Sequence, residues 1–250
     1  MQNPQSHVDL ARHLERELAS GANVDGGLSG LACSSALQGW LTLLLSDDQA
    51  ALECAGRSYH HENGFLKLVV FRTRDDLFRL RLHIWPESAY ADQNIHDHRF
   101  AFWSYVLKGT IINHIWEPDP SGSRFTHYTY HPRELQTQYV LQKQGAVRLK
   151  ESATFKRQQG TTYHFGSDVL HTISCIDRPV TFVLEDRRNL RGLANVYSVG
   201  EASKKLEFES PPLPVETFRS SIAECGKLFR NNHGGLDSGP QDFSKKTGTV

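Results

Sequence analysis

The segment Asn94-Ile-His-Asp-His-Arg99, which continues as Phe100-Ala-Phe-Trp-Ser-Tyr-Val-Leu-Lys-Gly109, decides the fold of this chain. Its second part has the aromatic and branched residues of a β-strand, and Gly109 is suited to the turn that ends it. In an extended chain, side chains two residues apart lie on the same face. His96 and His98 can therefore point at one spot, and a single metal ion is the usual reason for two imidazoles to do so.

The composition describes a chain without a dominant charge. Its 250 residues include 28 Lys and Arg against 28 Asp and Glu, and 38% of them are hydrophobic. This balance argues against a general binder of nucleic acid or of acidic membranes. The length is sufficient to bury a core in one large domain or two small ones.

The cysteines and the N-terminus both indicate a cytoplasmic protein. The chain has four cysteines and no C-x-x-C motif, so free thiols are the simplest interpretation. The N-terminus lacks the apolar segment of a secretory signal. The longest apolar run, Trp40–Leu45, is far below the roughly 20 residues that span a bilayer.

Helices are predicted at both ends of the chain. Residues 1–20, Leu31–Leu45 and Asp47–Ala55 carry helical spacing of apolar residues, as does Val215–Phe229 near the C-terminus. The segment Gly21–Gly30, which contains four glycines, is predicted to be a flexible connector.

Short strand patterns separated by Gly, Pro, Asp and Ser fill the centre of the chain, which indicates an antiparallel sandwich or barrel. These predicted strands are Phe65–Arg72, Leu77–Trp85, Phe100–Leu107, Thr110–Trp116, Arg124–Tyr130, Tyr139–Leu141, Ala146–Leu149, Ala153–Lys156, Thr161–Phe165, Leu170–Ser174 and Val180–Leu184. We therefore divide the chain into an N-terminal helical extension that packs on the barrel, the barrel, a C-terminal extension with a helix, and a disordered tail, over residues 1–64, 65–186, 187–230 and 231–250.

A third ligand is needed, because a catalytic metal usually takes three protein side chains and keeps open positions. His171 is the best candidate. It follows a predicted turn at Gly160, a strand and a second turn, and it opens another strand. Asp97, between the first two histidines, is either an acceptor for an imidazole N–H or a turn-forming residue.

On these residues the chain resembles the cupins. Their first motif is H-x-H, a strand and a turn glycine, here His96, His98 and Gly109; their second is a turn glycine, a strand and a histidine, here Gly160 and His171. Within the cupins the chain most resembles the thiol dioxygenases of the cysteine dioxygenase type, which share further residues with it at Trp85, Ile95, Leu170 and Pro179. The resemblance spans about residues 70–185 and implies a small jelly-roll barrel with a three-histidine Fe(II) centre.

The resemblance also implies the charge of the substrate. Cupins usually carry a glutamate ligand shortly after H-x-H, but residues 99–103 here are Arg-Phe-Ala-Phe-Trp. A neutral triad leaves Fe(II) with its full charge, which an anionic substrate would compensate. The Ser-x-His-x-Tyr run of the cysteine dioxygenases is missing, because Phe182, Leu184 and Asp186 occupy its positions. The resemblance therefore supports the fold and the metal site more strongly than it supports cysteine as the substrate.

The strand Leu77–Trp85 alternates between an apolar face and a polar one, which carries Arg79, Arg81, His83 and Trp85. The polar face is either exposed to solvent or, as the resemblance implies through Trp85, turned into the cavity. Facing inward, Arg81 would anchor a substrate carboxylate and Trp85 would line the cavity. His83 would then act near the metal as a hydrogen-bond donor, an acid/base group or a fourth ligand.

Two further residues complete the predicted site. The resemblance places the family's carboxylate-binding arginine near Arg72. Tyr163, which lies on the strand before His171, is a candidate donor to bound oxygen, as is Tyr105.

Together these observations predict an all-β cupin jelly-roll barrel with N-terminal helices and a C-terminal helix. We expect a mononuclear Fe(II) dioxygenase that uses O2 on a small polar, carboxylate- or amino-acid-like substrate, without nucleic acid or membrane as partners. A cupin isomerase, lyase or hydrolase with Zn, Mn or Ni and a non-catalytic ligand-binding cupin remain the alternatives. The N-terminal helices would cover the barrel or form the contact of a homodimer.

Overall fold

The computed structural model describes residues 10–12, 14, 24–86, 94–133, 138–199 and 205–231. Its helices are α1 (Val24–Ala32), α2 (Ser35–Ser46), α3 (Asp48–Ala55) and α4 (Val215–Asn231). Its strands are β1 (Tyr59–His60), β2 (Leu66–Arg72), β3 (Phe78–Ile84), β4 (Ile95–His96), β5 (Ala101–Pro132), β6 (Gln138–Gln158), β7 (Thr162–Phe165), β8 (His171–Asp186), β9 (Ala194–Ser198) and β10 (Lys205–Glu209). The predicted tail and most of the first predicted helix lie outside the described residues.

The strands form one antiparallel, strongly bent sheet in the order β1-β2-β3-β8-β4-β9-β5-β6-β10, with β7 beside β5. Because β8 also pairs directly with the first half of β5, from Ala101 to Ile115, the path β8-β4-β9-β5 closes on itself and encloses an interior. The prediction of an all-β, jelly-roll-like fold is confirmed.

A shared bend in β5 and β8 makes this closure possible. Gly109 has φ 74° in β5, and the facing residues Asp177 and Arg178 have φ 63° and 47°. A Cβ on Gly109 would lie 2.9 Å from the Ile176 carbonyl oxygen and 2.9 Å from Pro179 Cα. Only glycine combines this backbone conformation with so close an approach of two strands.

The predicted division into many short strands is wrong in one respect. The three strands predicted between Phe100 and Tyr130 form the single bent strand β5, and those between Tyr139 and Lys156 form β6. The predicted strands Leu170–Ser174 and Val180–Leu184 likewise form the single strand β8. The residues that we interpreted as breaks are instead points where the register between β5 and β6 shifts. Such bulges bend a strand without ending its hydrogen bonding.

The helices cover one face of the β2-β3-β8 wall. Leu80 and Leu82 on β3 share a core cluster with the helices, and Phe182 on β8 packs edge-on against Phe229 on α4. A bulge at Val70 frees its carbonyl, which accepts a hydrogen bond from Trp40 Nε1 at 2.6 Å. The apolar face of β3 therefore points to the helices, and its polar face points inward, as the resemblance implied.

The prediction of a flexible connector over Gly21–Gly30 is wrong for its second half, because α1 begins at Val24. Leu28 and Leu31 on this helix are each 1% exposed. Burial of these leucines in the helical layer compensates for the low helix propensity of glycine.

All four cysteines are free, and three of them are buried. This agrees with the interpretation of the sequence. Among the helices of the described ranges, none combines the length and the hydropathy required to cross a bilayer.

Candidate metal centre

Strand pairing brings the three predicted histidines together. His96 on β4 lies directly opposite His171 on β8, and their ring centroids are 4.7 Å apart. His98 follows β4, and its ring centroid is 5.0 Å from that of each of the other two. One nitrogen from each ring lies within 4.8 Å of the others. The three side chains could therefore hold one metal ion, as the sequence predicted, although His96 and His171 are 75 positions apart in the chain.

Backbone carbonyls orient two of the rings. His96 Nδ1 donates to the Asn94 carbonyl oxygen at 2.9 Å, and His171 Nδ1 donates to that of Val169 at 3.2 Å. These bonds leave Nε2 of both rings with a free lone pair, which is the arrangement found in metal-binding histidines. His98 Nε2 lies 3.4 Å from His171 Nε2. A cation shared by the rings removes the repulsion that facing lone pairs would cause.

Burial keeps the three imidazoles neutral. Desolvation lowers the pKa of His171 to about 3 and lowers the pKa of His96 and His98 as well. The neutral form is the one that binds metals. No carboxylate joins the cluster within the described residues. Three uncharged nitrogen donors suit Fe(II), Zn, Cu or Ni better than Mg or Ca.

Asp97 has a different role from either of those expected. Its carboxylate is buried and accepts hydrogen bonds from the Asn195 backbone N–H and side-chain amide and from Arg191 Nη1 at 3.0 Å. Arg191 also donates to the Ser167 carbonyl oxygen at 2.8 Å. Asp97 thus fastens the H-x-H segment to β9 and to the loop before His171, and so it holds the ligands in place through the backbone.

A cavity of about 390 Å³ opens beside the triad, lined by His96 and His98 on one wall and by Arg81 and His83 on the opposite wall. A volume of this order is typical of small-molecule sites. The inward orientation of Arg81 and His83 agrees with the interpretation that the resemblance favoured.

Buried ion pairs hold the arginines of this cavity. Arg81 and Arg187 both contact Glu185, which is fully buried, and Arg79 binds Asp76. Arg81 also lies over the Phe100 ring, 5.1 Å from its centroid, and its Nε has no hydrogen-bond partner. Glu185 and Phe100 therefore fix the Arg81 guanidinium beside the cavity.

The other predicted site residues lie in different places. His83 lines the cavity, its Nε2 has no partner in the described structure, and burial lowers its pKa well below the usual range. Trp85 and Tyr163 belong to an apolar cluster behind the triad instead of the cavity lining, and burial raises the pKa of Tyr163 to about 12. Arg72 ends β2 and is also outside the lining residues of the described chain.

Sequence reasoning missed Lys67, Tyr59 and His61, which all line the cavity. Lys67 Nζ donates to the Tyr59 hydroxyl at 2.7 Å and lies over its ring. The available signal was one lysine inside the otherwise apolar strand β2. Its position opposite His83 became clear only from the pairing of β2 with β3.

No family model and no curated protein matches the chain. Among solved structures it is similar to an HTH_3 family transcriptional regulator from Vibrio cholerae, with 10% identity, coverage of 78% of this chain and 96% of that chain, and a TM-score of 0.29. It is also similar to pumpkin seed globulin, with 12% identity, coverage of 72% and 48% of the two chains, and a TM-score of 0.27. Scores this low carry no argument, so the fold rests on the strand pairing described above.

Proposed function

We propose that this protein is a mononuclear metal enzyme of the cupin type, and specifically an Fe(II) dioxygenase that acts with O2 on a carboxylic or amino-acid-like substrate. The observation that carries the proposal is the neutral His96–His98–His171 cluster beside a cavity that is lined by several arginine and lysine side chains. A ligand set without a carboxylate leaves the charge of the metal uncompensated, and the cationic wall selects an anion to compensate it.

The residues of the chain have separate roles in this proposal. The triad would bind the metal, which when bound supplies the redox chemistry with O2. Arg81, which lines the cavity, would orient the substrate carboxylate through its guanidinium group. His83, held neutral by burial, would accept or donate a hydrogen bond at the substrate. Phe100 and Phe102 lie against His98 and exclude water from that side of the site.

The same nitrogen donors also suit zinc, which makes a cupin isomerase, lyase or hydrolase the second candidate. A cupin that only binds ligands is a third. Oxygen uptake separates these two candidates from the first, because the dioxygenase is the only one of the three that consumes O2.

The test begins with metal analysis of anaerobically purified protein, followed by Fe(II)-dependent oxygen uptake with a panel of thiols, amino acids and small acids. We expect one Fe(II) per chain and substrate-dependent uptake. The variant His171→Ala should lose the metal. The matched control is His164→Ala, because His164 is exposed and stacks on Trp103 outside the triad. Full iron occupancy in His171→Ala, or oxygen uptake with none of the acids, would refute the proposal.

A further inference from the structure

The two walls of the cavity differ in chemistry. The wall formed by β2 and β3 presents cationic and polar groups, among them Lys67, Arg81 and His83. The opposite wall, formed by β5, β6, β9 and β10, presents apolar groups, among them Leu141 and Val196. A ligand that fits both walls is charged on one side and apolar on the other.

The apolar wall contains a row of three rings, Tyr130, Tyr139 and Phe208, which we call the aromatic ladder. Ring centroids are 4.7 Å apart between Tyr130 and Tyr139 and 4.9 Å apart between Tyr139 and Phe208. All three rings line the cavity. Because neighbouring rings cover each other's faces, the ladder offers ring edges to a ligand. Ring edges carry positive partial charge and favour the face of another aromatic ring.

The ladder is too far from the triad for a small amino acid to reach both. His96 pairs with Val196 on β9, and Val196 pairs with Tyr128 on β5. Tyr130 is thus two strands and two residues away from His96, which corresponds to about 12 Å along the sheet. The cavity volume of 390 Å³ equals the space of about 13 water molecules. The distance indicates an elongated ligand, and the volume is large enough to hold one.

Lys67 supplies a charge for such a ligand. Burial lowers the pKa of its ammonium group, which donates a hydrogen bond to the neutral Tyr59 hydroxyl. Glu185 and Glu62 partly offset this effect by electrostatic attraction, but burial is the larger influence and favours the neutral amine. A bound anion beside Lys67 would stabilise its ammonium form, so an acid would be favoured at this position over an uncharged ligand.

We propose that the cavity binds an elongated amphipathic acid, with its anionic group on the side of Lys67 and an aromatic group against the ladder. In naming the substrate class of the metal site, this inference rests on the proposed function. It goes beyond a small polar substrate, because such a substrate would not extend from the triad to the ladder.

Calorimetric binding to the purified protein tests the proposal with three probes: 4-phenylbutyrate, acetate, and the neutral amide 4-phenylbutanamide. We expect 4-phenylbutyrate to bind about tenfold or more tightly than either other probe. Phe208→Ala and, as a second ladder variant, Tyr139→Ala should each weaken its binding about tenfold. Phe155→Ala is the matched control, since Phe155 is an exposed phenylalanine of β6 outside the cavity, and it should bind the probes like the native protein.

The charge is tested separately with Lys67→Met, which should weaken binding of 4-phenylbutyrate and leave binding of the amide unchanged. Equal affinities for acetate and 4-phenylbutyrate, or equal effects of Phe208→Ala and Phe155→Ala, would overturn the inference. Because this experiment measures binding and not oxygen uptake, the inference and the proposed function can be refuted independently. Tight binding without oxygen uptake contradicts the dioxygenase alone, and oxygen uptake with small acids but no ladder effect contradicts the amphipathic substrate alone.

Discussion

Replacing Asp97 by alanine should destabilise the protein and weaken its metal site at the same time. The carboxylate lies between two ligands, yet its hydrogen bonds go to Asn195 and Arg191 on the far side of the segment. Its side chain is 3% exposed, and that of Arg191 is 36% exposed. The variant leaves the two half-buried Asn195 donors without their acceptor, whereas water can partly solvate the arginine.

The magnitude follows from these partners. A buried donor left without an acceptor costs about 1–3 kcal/mol, and loss of one member of a buried ion pair costs about 3–5 kcal/mol. Because Arg191 is partly exposed, we expect Asp97→Ala to lower the free energy of unfolding by about 3–5 kcal/mol in all. Asp97 also positions His96 and His98, so metal affinity should fall about 10- to 100-fold, as for other residues that orient metal ligands.

Urea unfolding of the metal-free protein measures the first quantity, and titration with Zn(II) measures the second. Asp119→Ala is the control, because the Asp119 carboxylate also accepts two hydrogen bonds, from Ser121, but is 34% exposed. Its effect on stability should stay within about 1 kcal/mol. If Asp97→Ala destabilised the protein no more than Asp119→Ala, or bound Zn(II) like the native protein, the role assigned to Asp97 would be wrong.

Three further predictions concern the cavity, the bend and the pH dependence. Glu185→Gln leaves Arg81 buried with a weaker partner and should lower the free energy of unfolding by about 3–5 kcal/mol; a loss below about 1 kcal/mol in urea unfolding would contradict this. Gly109→Ala should cost about 2–4 kcal/mol, from a φ of 74° and two contacts at 2.9 Å. Gly160→Ala, with φ 85° and open space around the new methyl group, should cost about 1–2 kcal/mol, and equal losses would argue against the close approach at Gly109. Burial lowers the pKa of His171 from 6.5 to about 3, so below pH 6.5 the unfolded chain binds more protons than the folded one. The free energy of unfolding should therefore fall with decreasing pH between about 6.5 and 3, by up to about 1.4 kcal/mol per pH unit from this residue, and urea unfolding of metal-free His171→Ala should show a shallower slope.

Local spacing predicted the histidine cluster well, because side chains that converge from strands depend on short-range geometry. The two-residue separation of His96 and His98 is visible in a single stretch of sequence, whereas the turn predicted at Gly109 is a bend within the continuous strand β5. The alternation along β3 also predicted that Arg81 and His83 share one face. It left open whether that face points to water or to a cavity, since alternation is the same in both cases.

The failures occurred where distant residues decided the local structure. Glycines over Gly21–Gly30 predict a connector, but burial of Leu28 and Leu31 against the rest of the core makes the second half helical. The predicted breaks within β5 and β6 became bulges, because pairing with the neighbouring strands continues across them. Propensity measures only the local part of the free energy, and long-range pairing outweighs it here.

The sequence by itself determined the all-β class, which residues of β3 share a face, and the identity of the three histidines. Only the tertiary structure decided that His96 lies opposite His171, that Asp97 is bound to β9, and that Lys67 and the aromatic ladder line one cavity. The physical reason is that residue spacing specifies the face on which a side chain lies. Which faces meet depends on strand register and on bends such as the one at Gly109, and these are set by the packing of the whole core.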